Sequence, residues 1–345
     1  VSFLHALLTN DIAGLIEGSG CYSALLTPQG RMISDMDVLR STAPDGAARV
    51  LLAVPAPLAP ELARRFDNAI FTEDVVIGDV SAATTQFGVV GPHAAAAVDS
   101  ALEALGQAPA SSHLAKPYDN VAAEAGVIAW RGEPLDGLDA FEIVVPAGLA
   151  DDTRSALGAH AATLSREART TLRVEAGRPE FLVDMTAETL PLEANLLDRA
   201  ISTSKGCYVG QEVIIRVLHR GGGRVAKKLA SLRFGGGVPA AGAVLSDGDR
   251  EIGRVTTAVQ SPRDGAAIGL GYVHRDYARE GARLTLPDAS SAVVTAETRS
   301  LTPSGEALDA ALAGERFDDL RFTAGTVKGL DRHGAWREGS VDLRR

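Results

Sequence analysis

The hydrophobic pattern of this 345-residue chain changes after the three glycines at residues 221–223. Beyond them, short alternating apolar runs follow one another, with turn signals such as Asp247-Gly248 and Ser261-Pro262 between them. Strands at this spacing are typical of a small barrel or sandwich. The runs lie at residues 228–234, 243–245, 252–259, 266–273, 282–286 and 293–298. We therefore predict a small β-barrel over residues 224–300, followed by a C-terminal extension over 301–345 with one helical run at 305–312.

The part of the chain before the glycines mixes helical and strand patterns. A hairpin is predicted around the turn at residues 27–30, and a strand, a helix and a further strand follow up to residue 80. From Gln86 the order is strand, helix, strand, strand, helix, which is typical of a split βαβ module. We predict an α+β fold with two tandem ferredoxin-like modules. They are residues 1–84, completed by the mostly helical residues 166–223, and residues 85–165.

Composition excludes several classes of protein. The net charge of −10 argues against a surface that coats nucleic acid. No apolar run approaches the about 20 residues that cross a bilayer, and the first residues lack the features of a secretory signal. We therefore expect a cytoplasmic protein with no membrane contact. Cys21 and Cys207 are too few for a disulfide scaffold or a four-thiolate site, so no metal site is predicted.

The most informative run is KGCYVGQE at residues 205–212, directly before an amphipathic segment. Cys207 is predicted at a helix start, where the helix dipole and the cation of Lys205 would both favour a thiolate. Gly206 and Gly210 permit close backbone approach to a ligand. Cys207 is therefore either a reactive or ligating sulfur, or a small buried apolar residue. No His–Asn pattern of a cysteine protease accompanies it.

This run resembles the K-G-C-[FY]-x-G-Q-E signature of the YgfZ-type folate-binding proteins, a branch of the GcvT (aminomethyltransferase) superfamily. Further resemblances extend from the residues in the twenties to the 270s. They lie at residues 29–31, 172–177 with Pro179, 190–195, 252–256 and 266–273. The resemblance implies three domains that form a ring around a central tetrahydrofolate pocket. It also implies a role in maintaining iron–sulfur enzymes.

A folate site needs a carboxylate for the N–H donors of the pterin edge and cations for the anionic glutamate tail. Glu142, in the predicted strand at residues 141–145, is either a solvent-facing residue or such an anchor. The resemblance favours the anchor, because the pterin-contacting carboxylate of the superfamily comes from a similar G-x-E-I strand. Here Ala140 stands in place of that glycine.

Asp35 and Asp37 are two residues apart on a predicted strand and should share a face, as a solvated pair or as a pair that binds a cation or an amine. In the aminomethyltransferases this region resembles G-G-I-x-D-D. Ser34 and Asp35 occupy the places of those two acids here, which departs from the glycine-cleavage pattern. Arg173 and Glu175 either belong to the pocket or form a structural ion pair.

With the resemblance, these residues form a predicted site. The residues predicted to carry the chemistry are Cys207 and Lys205. The residues predicted to bind the cofactor, tetrahydrofolate or a derivative of it, are Asp35, Glu142, Arg173, Glu175, Tyr208, Gln211 and Glu212.

The leading hypothesis is a tetrahydrofolate-binding accessory protein for iron–sulfur cluster assembly or repair, and thereby for tRNA modification, with one reactive thiol. Because one thiolate cannot hold a cluster alone, iron–sulfur proteins or assembly factors are the expected partners. The alternative is a folate-dependent aminomethyltransferase, so whether the chain is an enzyme stays open. A third possibility is a helper of RNA modification that binds tRNA, although direct nucleic-acid binding is not expected at this net charge.

Overall fold

We analysed a computed structural model, which describes residues 1–42, 48–220, 222–297, 327–330 and 336–339. The chain divides into two compact units, residues 1–300 and 301–345.

The first sheet is a three-stranded antiparallel meander in the order β1-β2-β3. One face of β2 carries Met36 and Val38, which pack with Phe3 and Leu62 of the two flanking helices. The other face of the sheet points to a second core and carries Tyr22. The elements are α1 (Ser2–Leu7), β1 (Gly20–Leu26), β2 (Met32–Thr42), β3 (Ala48–Ala53) and α2 (Ala59–Asp67).

The second sheet has the antiparallel order β4-β7-β6-β5. Alternation along β7 sends Phe141 and Ile143 to the alanine-rich helix α3, and Val144 to the core that is shared with the first sheet. The elements are β4 (Thr84–Val90), α3 (Ala94–Ala104), β5 (Asn120–Ala122), β6 (Ile128–Arg131), β7 (Ala140–Pro146) and α4 (Ala150–Gly158).

Three helices lead from the second sheet to the barrel, namely α5 (Arg166–Glu175), α6 (Leu197–Ala200) and α7 (Gln211–Arg220). The Ser165 side chain caps α5, accepting the N–H of Ala168 at 3.1 Å. Phe181, Met185 and Ile214 from this part of the chain pack into the core between the two sheets. That core therefore depends on segments that are far apart in sequence.

The C-terminal strands of the first unit form a closed barrel in the order β10-β11-β8-β13-β12-β9. They are β8 (Lys227–Phe234), β9 (Val244–Asp247), β10 (Arg250–Gln260), β11 (Ala267–His274), β12 (Arg283–Thr285) and β13 (Ser291–Glu297). The predicted mixed α/β fold with a C-terminal barrel is confirmed. No helix within the described ranges is both long enough and apolar enough to cross a membrane.

One local prediction was wrong and one strand was missed. Residues 75–80, which were predicted to form a strand, belong to no helix or strand of the described residues. Val75 and Ile77 pack on the core that contains Met36 and Val38, while Val76 is exposed. This packing alone accounts for the alternation of buried and exposed residues. The short strand β5, which has three residues, was not predicted. Its length is too small for a periodic signal.

The second unit contains an antiparallel strand pair, β14 (Val327–Leu330) and β15 (Trp336–Gly339). The helical run predicted at residues 305–312 lies outside the described residues.

Candidate functional site

The two sheets meet where β2 contacts β5. Asn120 donates its backbone N–H to the carbonyl of Gly18 at 2.8 Å and its side-chain amide to the carbonyl of Ser19 at 2.9 Å. Gly20 permits this approach, because a Cβ there would lie 3.1 Å from the Cβ of Tyr118. The inner faces of the sheets are therefore held next to each other.

Three carboxylates lie on these inner faces. Asp35 and Asp37 alternate along β2, as the sequence predicts, and Glu142 lies on β7 opposite Trp130 of β6. The charges of Glu142 and Asp35 both raise the pKa of Asp37, so the three groups are close enough to interact. Each side chain is only partly accessible to solvent, and protein surrounds most of it. These three side chains lie between the two sheets, and we call this group and its immediate surroundings the carboxylate recess.

Asp35 is hydrogen-bonded within the carboxylate recess. The Tyr22 hydroxyl donates to its Oδ2 at 2.6 Å, and the Arg199 guanidinium lies over the Tyr22 ring, 4.7 Å from its centroid. Burial raises the pKa of Asp35, while the Tyr22 hydrogen bond and the Arg199 charge oppose that effect. Burial and the Asp35 charge also raise the pKa of Tyr22, so its hydroxyl remains a donor at neutral pH.

Asp37 has no such donor among the residues that the structure describes. Burial and the charges of Glu142 and Asp35 raise its pKa to about 7. The indole N–H of Trp130 faces Asp37 and lowers that pKa, but it does not reach full hydrogen-bond geometry and has no partner in the described part of the chain. Trp130 is fully buried. A donor and an acceptor therefore lie close together without satisfying each other.

Glu142 occupies a space that a neighbouring glycine leaves open. Its Oε2 accepts a hydrogen bond from the Gln86 amide at 3.0 Å, and burial raises its pKa to about 7. Gly88 faces Glu142 across the β4–β7 ladder, where a Cβ would lie 3.0 Å from its Oε1. Any residue larger than glycine at position 88 would push on this carboxylate.

Two arginines near the carboxylates share one glutamate. Arg199 donates through Nε to Glu133 Oε1 at 3.1 Å, and both Arg199 and Arg178 form ion pairs with Glu133 Oε2. Burial and the charge of Arg199 lower the pKa of Arg178 to about 10. The two guanidinium groups therefore share a single carboxylate as their ion-pair partner. No sequence pattern indicates these three residues, because they come from separate connections and no spacing rule relates them.

Lys205 makes backbone contacts, and its predicted chemical role stays a prediction. Its Nζ donates to the backbone carbonyls of His5, Leu8 and Asn10, so it ties the chain to the end of α1. Burial lowers the pKa of Lys205 to about 8, and its charge acts on Cys21. These contacts give the amine a structural role.

Cys207 is exposed. The prediction that it begins a helix is wrong, because α7 starts four residues later at Gln211. Gly210 separates the two with a φ of +85°, and a Cβ there would lie 2.5 Å from the carbonyl oxygen of Thr27. The helix dipole acts mainly within the first turn, so it gives Cys207 little support. Solvent access, which a reactive thiol needs, is present.

The other residues of the run at 205–212 differ in burial. Tyr208 is buried in the core that also contains Tyr22 and Trp130, and its hydroxyl has no partner in the described part of the chain. The backbone N–H of Gln211 donates to the Tyr208 carbonyl at 3.2 Å. Glu212 is exposed and pairs with Arg216 one turn along α7. As cofactor contacts these three residues stay predictions.

Arg173 and Glu175 connect α5 to the barrel. Arg173 is buried and forms an ion pair with Asp184, and it donates to the Thr257 hydroxyl at 3.3 Å. The Ser261 hydroxyl donates to Glu175 Oε1. Of the two interpretations left open by the sequence, these contacts favour structural ion pairing over a folate contact.

The remaining cysteine does not resemble a reactive thiol. Cys21 is half-buried, and burial together with the charges of Asp37 and Asp11 raises its pKa to about 12. Both cysteines are free. Within the described residues, no three His, Cys, Asp or Glu side chains form a group that could hold a metal ion.

Tetrahydrofolate, the cofactor that the resemblance implies, presents ring N–H donors, a ring carbonyl and an anionic tail. The carboxylate recess offers acceptors, including Asp37, which accepts no hydrogen bond of full geometry from the described residues. It also offers the indole N–H of Trp130, which has no partner among the described residues, and the charge of the arginine pair. These groups fit a reduced pteridine.

Comparison with known proteins gives a consistent result. The Synechocystis aminomethyltransferase is 31% identical over 81% of this chain and 74% of its own length. The chloroplastic "putative transferase" of Arabidopsis thaliana is 26% identical over 85% of this chain, which spans 65% of that relative's length. The crystal structure of the glycine cleavage system aminomethyltransferase T from Bartonella henselae matches with a TM-score of 0.74 at 24% identity. That match covers 87% of this chain and 81% of the other.

Two family profiles cover most of the first unit. The profile of the GCVT N-terminal domain matches residues 1–205, and that of the glycine cleavage T-protein C-terminal barrel domain matches residues 227–302. The first profile alone spans more than half of the chain. The chain therefore belongs to the GcvT family, whose proteins bind tetrahydrofolate.

Proposed function

We propose that this chain is a tetrahydrofolate-binding accessory protein for the assembly or repair of iron–sulfur clusters, and thereby for tRNA modification. Cys207 is its single reactive thiol. The observation that carries the proposal is the placement of this residue. The thiol is exposed, while Tyr208, the next residue, packs in the same core as Tyr22 and Trp130 of the carboxylate recess. Because Cys207 and Tyr208 are adjacent in sequence, folate binding at the core could affect the position of the exposed thiol.

The cluster in this proposal is cargo that a partner brings. One thiolate cannot hold an iron–sulfur cluster, and the described part of the chain holds no group of three candidate metal ligands. The partner must therefore supply the other thiolates. Cytoplasmic location, like the partner class, is part of the proposal.

The folate site is tested by calorimetric titration of the full chain with tetrahydrofolate under reducing conditions. We expect heat of binding with the parent chain and at least tenfold weaker binding with Glu142→Gln, which keeps the shape but removes the charge. No heat with the parent chain would contradict the folate site.

The thiol role is tested in cells that lack the family member. Cys207→Ala should fold, should bind tetrahydrofolate as the parent does, and should fail to complement. Cys21→Ala is the matched control, because that thiol is half-buried and protonated at neutral pH, and we expect it to complement. Full complementation by Cys207→Ala would contradict the thiol role.

The second candidate function is folate-dependent aminomethyl transfer. The aminomethyltransferase relatives favour it, as does Asp35, a buried carboxylate that the Tyr22 hydroxyl holds in place. Tetrahydrofolate supplies the nitrogen atoms that take up a one-carbon unit. In this function the chain would orient the ring and hold a proton at Asp35. Formation of methylene-tetrahydrofolate from an aminomethylated lipoyl carrier would place this function ahead of the first.

A further inference from the structure

Asp37 differs from the other two carboxylates of the carboxylate recess in its hydrogen bonding. Asp35 accepts from Tyr22 and Glu142 accepts from Gln86. Within the described residues, no group donates a hydrogen bond of full geometry to Asp37. The fully buried indole N–H of Trp130, which faces it, also lacks a partner. A buried donor without a partner is unusual in a folded protein and points to a ligand.

The charges around Asp37 favour a ligand that donates hydrogen bonds. Glu142 on β7 and Asp35 on β2 face it with negative charge, and Arg199, which acts on it with positive charge, is already paired with Glu133. The nearby Cys21 and Tyr118 hold their protons at neutral pH. Three carboxylates therefore lie close together, and Asp37 among them accepts no hydrogen bond of full geometry from the described residues. A ligand that brings N–H groups would relieve their repulsion.

The chemistry of the ring decides which ligand can do this. In every folate, the 2-amino group and N3–H lie on one edge, and a single carboxylate pairs with both. The tetrahydro ring adds donors at N5 and N8, where the oxidised ring has only lone pairs. A second or third carboxylate at the ring therefore finds a donor in the reduced form and faces a lone pair in the oxidised form.

We propose that Asp37 is a specificity-determining residue that selects the reduced pteridine by accepting a ring N–H that the oxidised ring lacks. The Trp130 indole N–H beside it donates to the ring carbonyl, which both forms carry. This inference rests on the proposed folate site at Asp35 and Glu142. It concerns a different carboxylate, and it adds a choice between oxidation states.

The test compares the affinities of the full chain for tetrahydrofolate and folic acid by calorimetry at neutral pH under anaerobic conditions. Asp37→Asn should weaken tetrahydrofolate binding about tenfold or more and should leave folic acid binding equal or stronger, because the amide donates to a ring lone pair. The preference for the reduced form should therefore fall at least tenfold. Trp130→Phe should weaken both ligands by the same factor.

Controls separate this inference from the folate site itself. Asp74→Asn, at an exposed acid, should change neither affinity. Asp37→Ser serves as a second variant, and melting temperatures confirm that each variant is folded. An unchanged preference in folded Asp37→Asn, with tetrahydrofolate still bound, would overturn this inference alone. Failure of the parent chain to bind tetrahydrofolate would overturn the proposed folate site and this inference with it.

Discussion

The Asp37 carboxyl makes the folded chain less stable as the pH rises. Its ordinary pKa is 3.8, and burial with the charges of Glu142 and Asp35 raises the folded value to about 7. Ionisation therefore costs more in the folded chain than in the unfolded one. The stability associated with the protonated carboxyl is complete below about pH 4 and is lost as the pH rises to about 7. A group that destabilises its own fold is typical of a binding site.

Asp37→Asn should therefore stabilise the ligand-free chain at high pH. We expect a gain of about 1–3 kcal/mol in the free energy of unfolding at pH 8, and a difference near zero at pH 4. The gain should grow between these values and level off above pH 7. Thermal melting of both proteins over this pH range measures it, with Asp74→Asn as an exposed control. A gain that is equal at both ends of the range would show that ionisation is not its cause.

At the scale of single residues, the sequence predicted part of the site. Alternation placed Asp35 and Asp37 on one face of β2, because the period of a strand is two. Nothing in the sequence indicated that Trp130, Arg178 and Arg199 come close to them. These contacts arise from tertiary packing of loops and of a second sheet, and such packing has no local pattern.

At the scale of elements, the pairing of β4 with β7 forms one wall of the carboxylate recess. Gly88 on β4 faces Glu142 in the ladder, and the carboxylate occupies the space beside its Cα. Adding a Cβ would force the Glu142 side chain to shift by a few tenths of an ångström, since a contact at 3.0 Å is tighter than nine in ten real Cβ contacts.

Gly88→Ala should therefore weaken tetrahydrofolate binding by about tenfold or more while the fold is retained. Gly78→Ala, at an exposed glycine, is the matched control, because its Cβ would meet no atom within 4 Å. Calorimetric titration of both variants measures the effect. Equal affinities in the two variants would show that the position of Glu142 is not critical for binding.

Some elements could be predicted from the sequence because they have a periodic hydrophobic pattern, whereas others could not. Long periodic segments such as β2, α3 and the barrel strands were predicted within a few residues, because burial on one face imposes a period. The segment at residues 75–80 has the same period without a strand partner, and β5 pairs over only three residues. Pairing with another strand is a non-local property, so the pattern of one segment cannot predict it.

At the scale of the whole first unit, α5 and the barrel share a buried polar cluster. Asp184 is almost fully buried and accepts hydrogen bonds from the hydroxyls of Thr256 at 2.5 Å and Thr257 at 2.7 Å, both on β10. Arg173 of α5 pairs with the same carboxylate. The contact joins the helical segment, which completes the central core, to the barrel.

Removing one member of this pair should destabilise the first unit strongly. We expect Arg173→Met to lower the free energy of unfolding by about 3 kcal/mol, because it leaves the Asp184 charge buried beside two neutral hydroxyls. A double-mutant cycle with Asp184→Asn, measured by urea unfolding, should give a coupling energy above about 1 kcal/mol. The exposed pair Glu212 and Arg216 should give about 0.5 kcal/mol or less in the same cycle. Tetrahydrofolate affinity of the folded Arg173→Met variant should match the parent, and a large loss would instead favour the folate contact that the sequence suggested for Arg173.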